Sequence, residues 1–323
     1  MKLTVEDIKH VLSADIDVSK QVDVKDIDSL VFSCVEAAKD ALNAAAPPRF
    51  SDFERDQLVH IVDGLQHSHA SIRKLLQGEQ NPSAVDALAI ARLQLETLYS
   101  FCFLLQNPEN VRLYLKSGWK KKYIRYLLHR EECHNLPRFD EYFNEASPPL
   151  IIGLQNVCFV DDDERRTIEN EQLGAPFGPI SKLAIIPNFP TPMGVIEKIT
   201  DTSQASMLKR LYPEYQFLCS FAHGDSEASL FRTLSNKRSP AAGLFTSGQI
   251  EDFYQRYVLE QPVLYSAVSA IQVATELAAI YKTNVDLLAK VTKAWNFLLT
   301  LHLLAKPIWE IRAKQILGLI DQN

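Results

Sequence analysis

Glycine is scarce in this sequence: 11 of 323 residues, or 3.4%, about half the usual ~7%. That shortage disfavours architectures built on Gly-rich turns, such as propellers and jelly rolls. Cysteine is sparse as well. The five thiols, Cys34, Cys102, Cys133, Cys158 and Cys219, are odd in number, widely spaced and never C-x-x-C. A disulfide framework or structural zinc site is therefore not expected, and a reducing cytoplasm suits the pattern. The first 17 residues, MKLTVEDIKHVLSADID, lack the unbroken apolar core of a signal peptide. The most apolar window, Pro262 to Tyr281, is interrupted by Ser266, Ser269, Gln272, Thr275 and Glu276. It reads as a buried helix and not as a membrane span. No P-loop, Rossmann glycine pattern, H-E-x-x-H or G-x-S-x-G occurs, and no repeat of 20–50 residues is visible.

What is present is apolar and helical. Hydrophobic residues make up 46% of the chain, which excludes a mostly disordered protein. Lys and Arg number 34 against 40 Asp and Glu, so the net charge of −6 argues against indiscriminate DNA binding. The length allows two domains or one large one.

Residues 1–26 read as a short helical arm. Residues 27–46 have helical composition and stop before Pro47-Pro48. Ser51-Asp52-Phe53-Glu54 is a capping-box signature that opens a helix to about Gln77. The next helix, about 82–106, is apolar nearly all round and belongs in the middle of a bundle. Asn107-Pro108 ends it; a shorter helix and a basic one from Gly118 to His134 follow. Residues 148–194 hold a charged run and a Gly/Pro-rich stretch and read as an irregular insert. Helical spacing then resumes, with stripes at Val263, Ala267, Ile271, Ala274, Ala278 and Tyr281, and at Leu288, Val291, Trp295, Leu298 and His302. No series of alternating strands is found. The expected fold is all-α: a multi-helix bundle around the 82–106 helix, one domain over 27–320.

Several constellations are candidates for chemistry. Arg92 and Glu96 lie at i,i+4 in the apolar central helix, where burying charges is expensive without partners. Either they line a site or they bridge this helix to its neighbours. Tyr215, Cys219 and His223 share a face at i, i+4 and i+8, and Gly224 reads as a C-cap. That places His223 at the negative end of the helix dipole. A thiol near an imidazole is a candidate nucleophile; the alternative is that Tyr215 and His223 hold the Arg92/Glu96 pair. His60, Asp63 and His67, with His69 nearby, could hold a metal or form an ordinary polar face, and no E-x-x-H pair supports metal. Lys120, Lys121, Lys122 and Arg125 are interleaved with Trp119 and Tyr123, a composition able to hold nucleic-acid phosphates or simply a solvated face.

The pattern A-x-x-x-A-R-x-x-x-E (Ala87, Ala91, Arg92, Glu96), with Y-x-x-L-x-x-x-x-H downstream (Tyr215, Leu218, His223), resembles a family of uncharacterised helical bacterial proteins carrying a domain of unknown function. The resemblance spans residues 55–225 and implies a helical fold without an established activity. The position after Leu218 is commonly serine in that family; here it is Cys219 followed by Ser220. A looser similarity is to the HEPN class of helical proteins in bacterial defence, some of which are RNases with an R-x(4–6)-H motif. Arg55 and His60 satisfy that spacing. In such a reaction His60 would act as acid or base and Arg55 would stabilise the developing charge.

These features point to a cytoplasmic binding or interaction module in defence or stress response, with an RNA-directed hydrolase as the alternative. The expected polar cluster is Arg92, Glu96, Tyr215 and His223. No cofactor, metal or membrane is called for; the partner is a protein or RNA, and a homodimer is the default assembly.

Overall fold

The computed structural model describes residues 24–77, 82–133, 148–174, 186–223, 229, 231–233, 246–301 and 305–318. Nearly all of the arm at 1–26, His134 and His302 thus lie outside the described residues. Every regular element among them is helical: α1 Val24–Ala44, α2 Asp52–Leu75, α3 Asp86–Leu104 behind a 3-10 turn Pro82–Val85, α4 Pro108–Cys133, α5 Pro148–Gly153, α6 Asp162–Gly174, α7 Pro192–Lys198 and α8 Thr202–His223. After these come α9 Ser247–Phe253, which passes through a π-helical stretch Tyr254–Glu260 into α10 Gln261–Ile280, then α11 Val285–Leu301 and α12 Ala305–Ile308. A second π-helical stretch, Trp309–Ala313, leads into α13 Lys314–Gly318. The chain is an all-α multi-helix bundle.

The described residues form two compact units: those within 1–48, 55–102 and 192–323, and those within 49–54 and 103–191. In the first, α1 turns Ile27, Val31, Val35, Ala38 and Leu42 inward at helical spacing. It ends three residues before Pro47-Pro48. Its buried stripe packs on α10 and α11. Helix α3 buries Ala87, Leu88, Ala91, Leu95, Leu98 and Tyr99, and leaves Leu93 half exposed. Helix α10 is enclosed more completely, being buried at every position from Pro262 to Ala278. By length and composition α3 and the helix through Tyr254–Ile280 could each cross a membrane, yet most of each is buried within the unit.

Each of the five polar residues inside α10 has a partner, as burial requires. Ser266 meets His69 and Ser269 donates to the Tyr265 carbonyl. Thr275 donates to the Ile271 carbonyl and accepts from Trp295 Nε1 at 2.9 Å. Gln272 donates to Glu276, which Arg312 also engages. The α11 stripe runs through Leu287, Val291, Trp295 and Leu298. It starts one residue earlier than the spacing suggested, and Asn284 caps the helix by accepting the Leu287 N–H at 3.0 Å.

The second unit contains the expected capping box: the Ser51 N–H donates to Glu54 Oε2 at 2.9 Å and the Glu54 N–H to Ser51 Oγ at 3.4 Å. The two helices expected after Asn107-Pro108 are one, α4, which runs on through Gly118. Helices α5 and α6 lie within the stretch read as irregular. The charged run of α6 is a second capping box, with the Glu164 N–H on Asp161 Oδ1 at 2.7 Å and the Asp161 N–H on Glu164 Oε2 at 3.0 Å. Acidic residues in its first turn also suit the helix dipole. Between α5 and α6 the chain closes with a Schellman pair: Val160 N–H to Gln155 O and Phe159 N–H to Asn156 O, both 3.0 Å. The left-handed position is Phe159, φ 61°, where glycine is usual. Its ring is held by Phe53, centroids 5.5 Å apart, and by the Arg112 guanidinium at 5.2 Å.

Candidate functional site

Helix α3 sets Arg92 one turn before Glu96, and the guanidinium reaches Glu96 Oε2 at 2.9 Å. Helix α8 brings Tyr215 to the same guanidinium: Arg92 Nη2 donates to Tyr215 Oη at 3.0 Å and the cation lies 5.3 Å from the ring centroid. Cys219, one turn after Tyr215, acts on the electrostatics of both. Three of the four expected cluster residues therefore meet. The fourth, His223, closes α8, and its side chain lies outside the described residues. The cluster reaches water through Glu96, 38% exposed, whereas Arg92 is 16% exposed.

Burial and the Cys219 contact push the Tyr215 phenol up to about 12, against the pull of Arg92. Burial alone would loosen the Arg92 proton, but Cys219, Tyr215 and Glu96 hold it above its ordinary value. A phenol that stays protonated and a guanidinium that stays charged are poor proton shuttles at neutral pH. Arg92 Nε is buried with no hydrogen-bond partner. Ser220, the hydroxyl beside Cys219, donates to the Phe217 carbonyl at 2.8 Å.

A second polar group was not legible. Arg312 sits in the π-helical stretch Trp309–Ala313, where the wider turn changes the direction of its side chain. It grips Glu276 with two bonds, Nε to Oε1 at 3.0 Å and Nη2 to Oε2 at 2.7 Å. Its Nη1 reaches Asp201 Oδ2 at 2.6 Å and Ser203 Oγ at 2.7 Å. Gln204 and Gln272 donate the remaining bonds to Glu276, at 2.8 and 2.7 Å. Burial would raise the Asp201 carboxyl, but the Gln204 N–H, Ser203 and Arg312 bring it below its usual value. Arg312 is raised despite burial by its two carboxylates. The group leaves Gln272 Oε1 as a buried acceptor with no partner.

The third group centres on His69, which is fully buried. Its Nδ1 lies 2.7 Å from Ser266 Oγ and its Nε2 3.0 Å from Asp28 Oδ1. A carboxylate only accepts, so Nε2 carries a proton and donates to Asp28. Arg73 Nε also donates to Asp28, at 2.9 Å. Desolvation works against the Asp28 charge, yet His69 and Arg73 hold its carboxyl below the usual range. The order Ser–His–Asp matches a nucleophilic relay, but Ser266 is fully buried and so out of a substrate's reach.

The remaining candidates separate. His60 is exposed, and Asp63 binds Lys39 and, at 3.2 Å, His67. His69 belongs instead to the buried group with Asp28 and Ser266. Among the described residues no three His, Cys, Asp or Glu side chains are placed to hold a metal ion. Arg55 turns to its neighbour Asp56, with Nη2 at 2.8 Å and Nε at 3.1 Å from Oδ1.

In the second unit the basic run is split by the helix wheel. Lys120 lies with Trp119, Tyr123, Ile124 and Leu127 on the buried face and donates to the Ile186 carbonyl. It is not part of a solvated basic patch; Lys121, Lys122 and Arg125 are exposed. Against known proteins, the chain matches no family model, no curated protein and no solved structure.

Proposed function

We propose that this chain is a binding module, acting in a reducing cytoplasm, whose polar clusters hold the fold and whose partner is engaged at its surface. The observation that carries this reading is the engagement of Arg92: its Nη2 is taken up by Glu96 at 2.9 Å and by Tyr215 at 3.0 Å, both of the same chain. The Arg92 side chain is 16% exposed and its unpartnered Nε is buried, so the guanidinium offers little to a ligand arriving from solvent, whereas a catalytic or anion-binding arginine must present donors to one. The free thiols at Cys34, Cys102, Cys158 and Cys219 suit the compartment. The setting in bacterial defence or stress response rests on the HEPN-like resemblance alone.

The RNA-directed hydrolase finds little support. Arg55 is forked onto Asp56, and Lys120 is withdrawn from the basic run. A protein partner is therefore favoured over RNA. The test is an RNA cleavage assay on wild type, His60→Ala and Arg92→Ala, with and without divalent ions. The reading expects no cleavage above buffer in any of the three. Cleavage by wild type that disappears in folded His60→Ala or Arg92→Ala would overturn it.

A further inference from the structure

We propose that the second unit carries a self-association surface, a ledge formed by Ile152, Leu154 and Val157, and that its partner is a second copy of this chain related by a two-fold axis. This rests on the reading of the chain as a binding module and names one partner of its surface.

The ledge is apolar and exposed. Ile152, Leu154 and Val157 are 43%, 41% and 49% exposed. Seven large apolar side chains are exposed among the described residues, and three of them fall within these six positions. Single exposed apolar residues need no explanation; a cluster marks a contact surface.

The ledge is also rigid. Gln155 N–H donates to Ile152 O and Cys158 N–H to Leu154 O, both at 3.0 Å. Trp119 Nε1 pins the Ile151 carbonyl at 2.7 Å. The Schellman pair at Phe159 closes the far end. A backbone already held in place loses little entropy on docking.

The charges around the ledge select the partner. Lys116 bonds Glu164 at 2.7 Å and Tyr123 bonds Glu169, so α4 and α6 run parallel in fixed register. The ledge lies along α4 from Trp119, which holds Ile151, to Lys122, whose charge acts on the Cys158 thiol. Exposed Asp161 and Asp163 sit at the start of α6, near the level of Lys116. Exposed Lys122 and Arg125 lie six and nine residues further along α4 than Lys116, roughly 9–14 Å at 1.5 Å per residue. The order is acidic, apolar, basic. A basic partner would meet Lys122 and Arg125, and an acidic one would meet Asp161 and Asp163. A second copy turned by a two-fold axis sets each end against its opposite, the requirement of an isologous contact. Three side chains are a small centre against the ~800 Å² per partner of a standard interface, so the dimer is weak and concentration-dependent.

Sedimentation of the full chain over a concentration series tests this. The apparent mass rises with concentration from 36.5 kDa towards twice that value. Leu154→Glu stays at the monomer mass, with unchanged helical circular dichroism. Lys122→Glu and Asp163→Lys each weaken the dimer by about tenfold or more, as like-charge contacts do, and the double variant restores it. A wild type that is monomeric at every concentration, or a dimer indifferent to Leu154→Glu, overturns the proposal. Either result without RNA cleavage leaves the binding-module reading standing. Cleavage lost with His60→Ala removes that reading whatever the oligomeric state.

Discussion

Arg312 and Glu276 form a two-bond ion pair at 3.0 and 2.7 Å, and the carboxylate is only 3% exposed. Glu276 sits near the end of α10, the most enclosed helix, so a charge buried there requires the guanidinium. Arg312→Ala leaves that carboxylate without its cation. The expected loss is about 3–5 kcal/mol of unfolding free energy, read by denaturant titration. Arg312→Lys recovers only part of this, because a point charge cannot make the fork.

His69 joins Asp28 on α1 to Ser266 on α10. His69→Ala removes a buried ring and leaves both partners unsatisfied. The expected cost is about 2–4 kcal/mol, and Ser266→Ala costs about 1 kcal/mol. Thermal and denaturant unfolding of the two variants check the order.

Asp28, Asp201 and Glu54 all bind protons less readily in the folded chain than their ordinary values of 3.8, 3.8 and 4.5. Burial opposes each shift, and hydrogen bonds and cations outweigh it. Their stabilisation is complete above those ordinary values and is lost as pH falls through the lower folded ones. The unfolding midpoint therefore drops steeply below about pH 4. Asp28→Asn makes that acid limb shallower, which a pH series of melting curves reads directly.

Phe159 holds φ 61° in a position that favours glycine. Both Phe159→Ala and Phe159→Gly lose the contacts with Phe53 and Arg112. Only glycine is relieved of backbone strain. Phe159→Gly is therefore expected to be about 1 kcal/mol more stable than Phe159→Ala.

Local signals were legible in the sequence. The α1 stripe, its stop before Pro47-Pro48 and the Ser51–Glu54 box follow from spacing and caps, which act within a few residues. The Asp161–Glu164 box carries the same signature, masked by the run of charges around it. Arg92, Glu96 and Tyr215 were legible as same-face residues on two helices. Other contacts join distant positions: Arg312 with Asp201 spans 111 residues and His69 with Ser266 spans 197. No local period reports such distances, nor the π-helical stretch that carries Arg312. Lys120 was misplaced because a run of lysines suggests a solvated face, while its wheel position falls among Trp119, Tyr123 and Leu127.

The most direct test of the structural role of Arg92 is a double-mutant cycle with Tyr215, measured by denaturant unfolding. Arg92→Ala and Tyr215→Phe are each expected to destabilise by about 1–2 kcal/mol. Their effects should fall short of additivity by about 0.5–1 kcal/mol, since they share one hydrogen bond. Residues held for catalysis or ligand binding behave oppositely, because replacing them often relieves strain. Single variants as stable as wild type or more stable, with no coupling between them, would contradict the account.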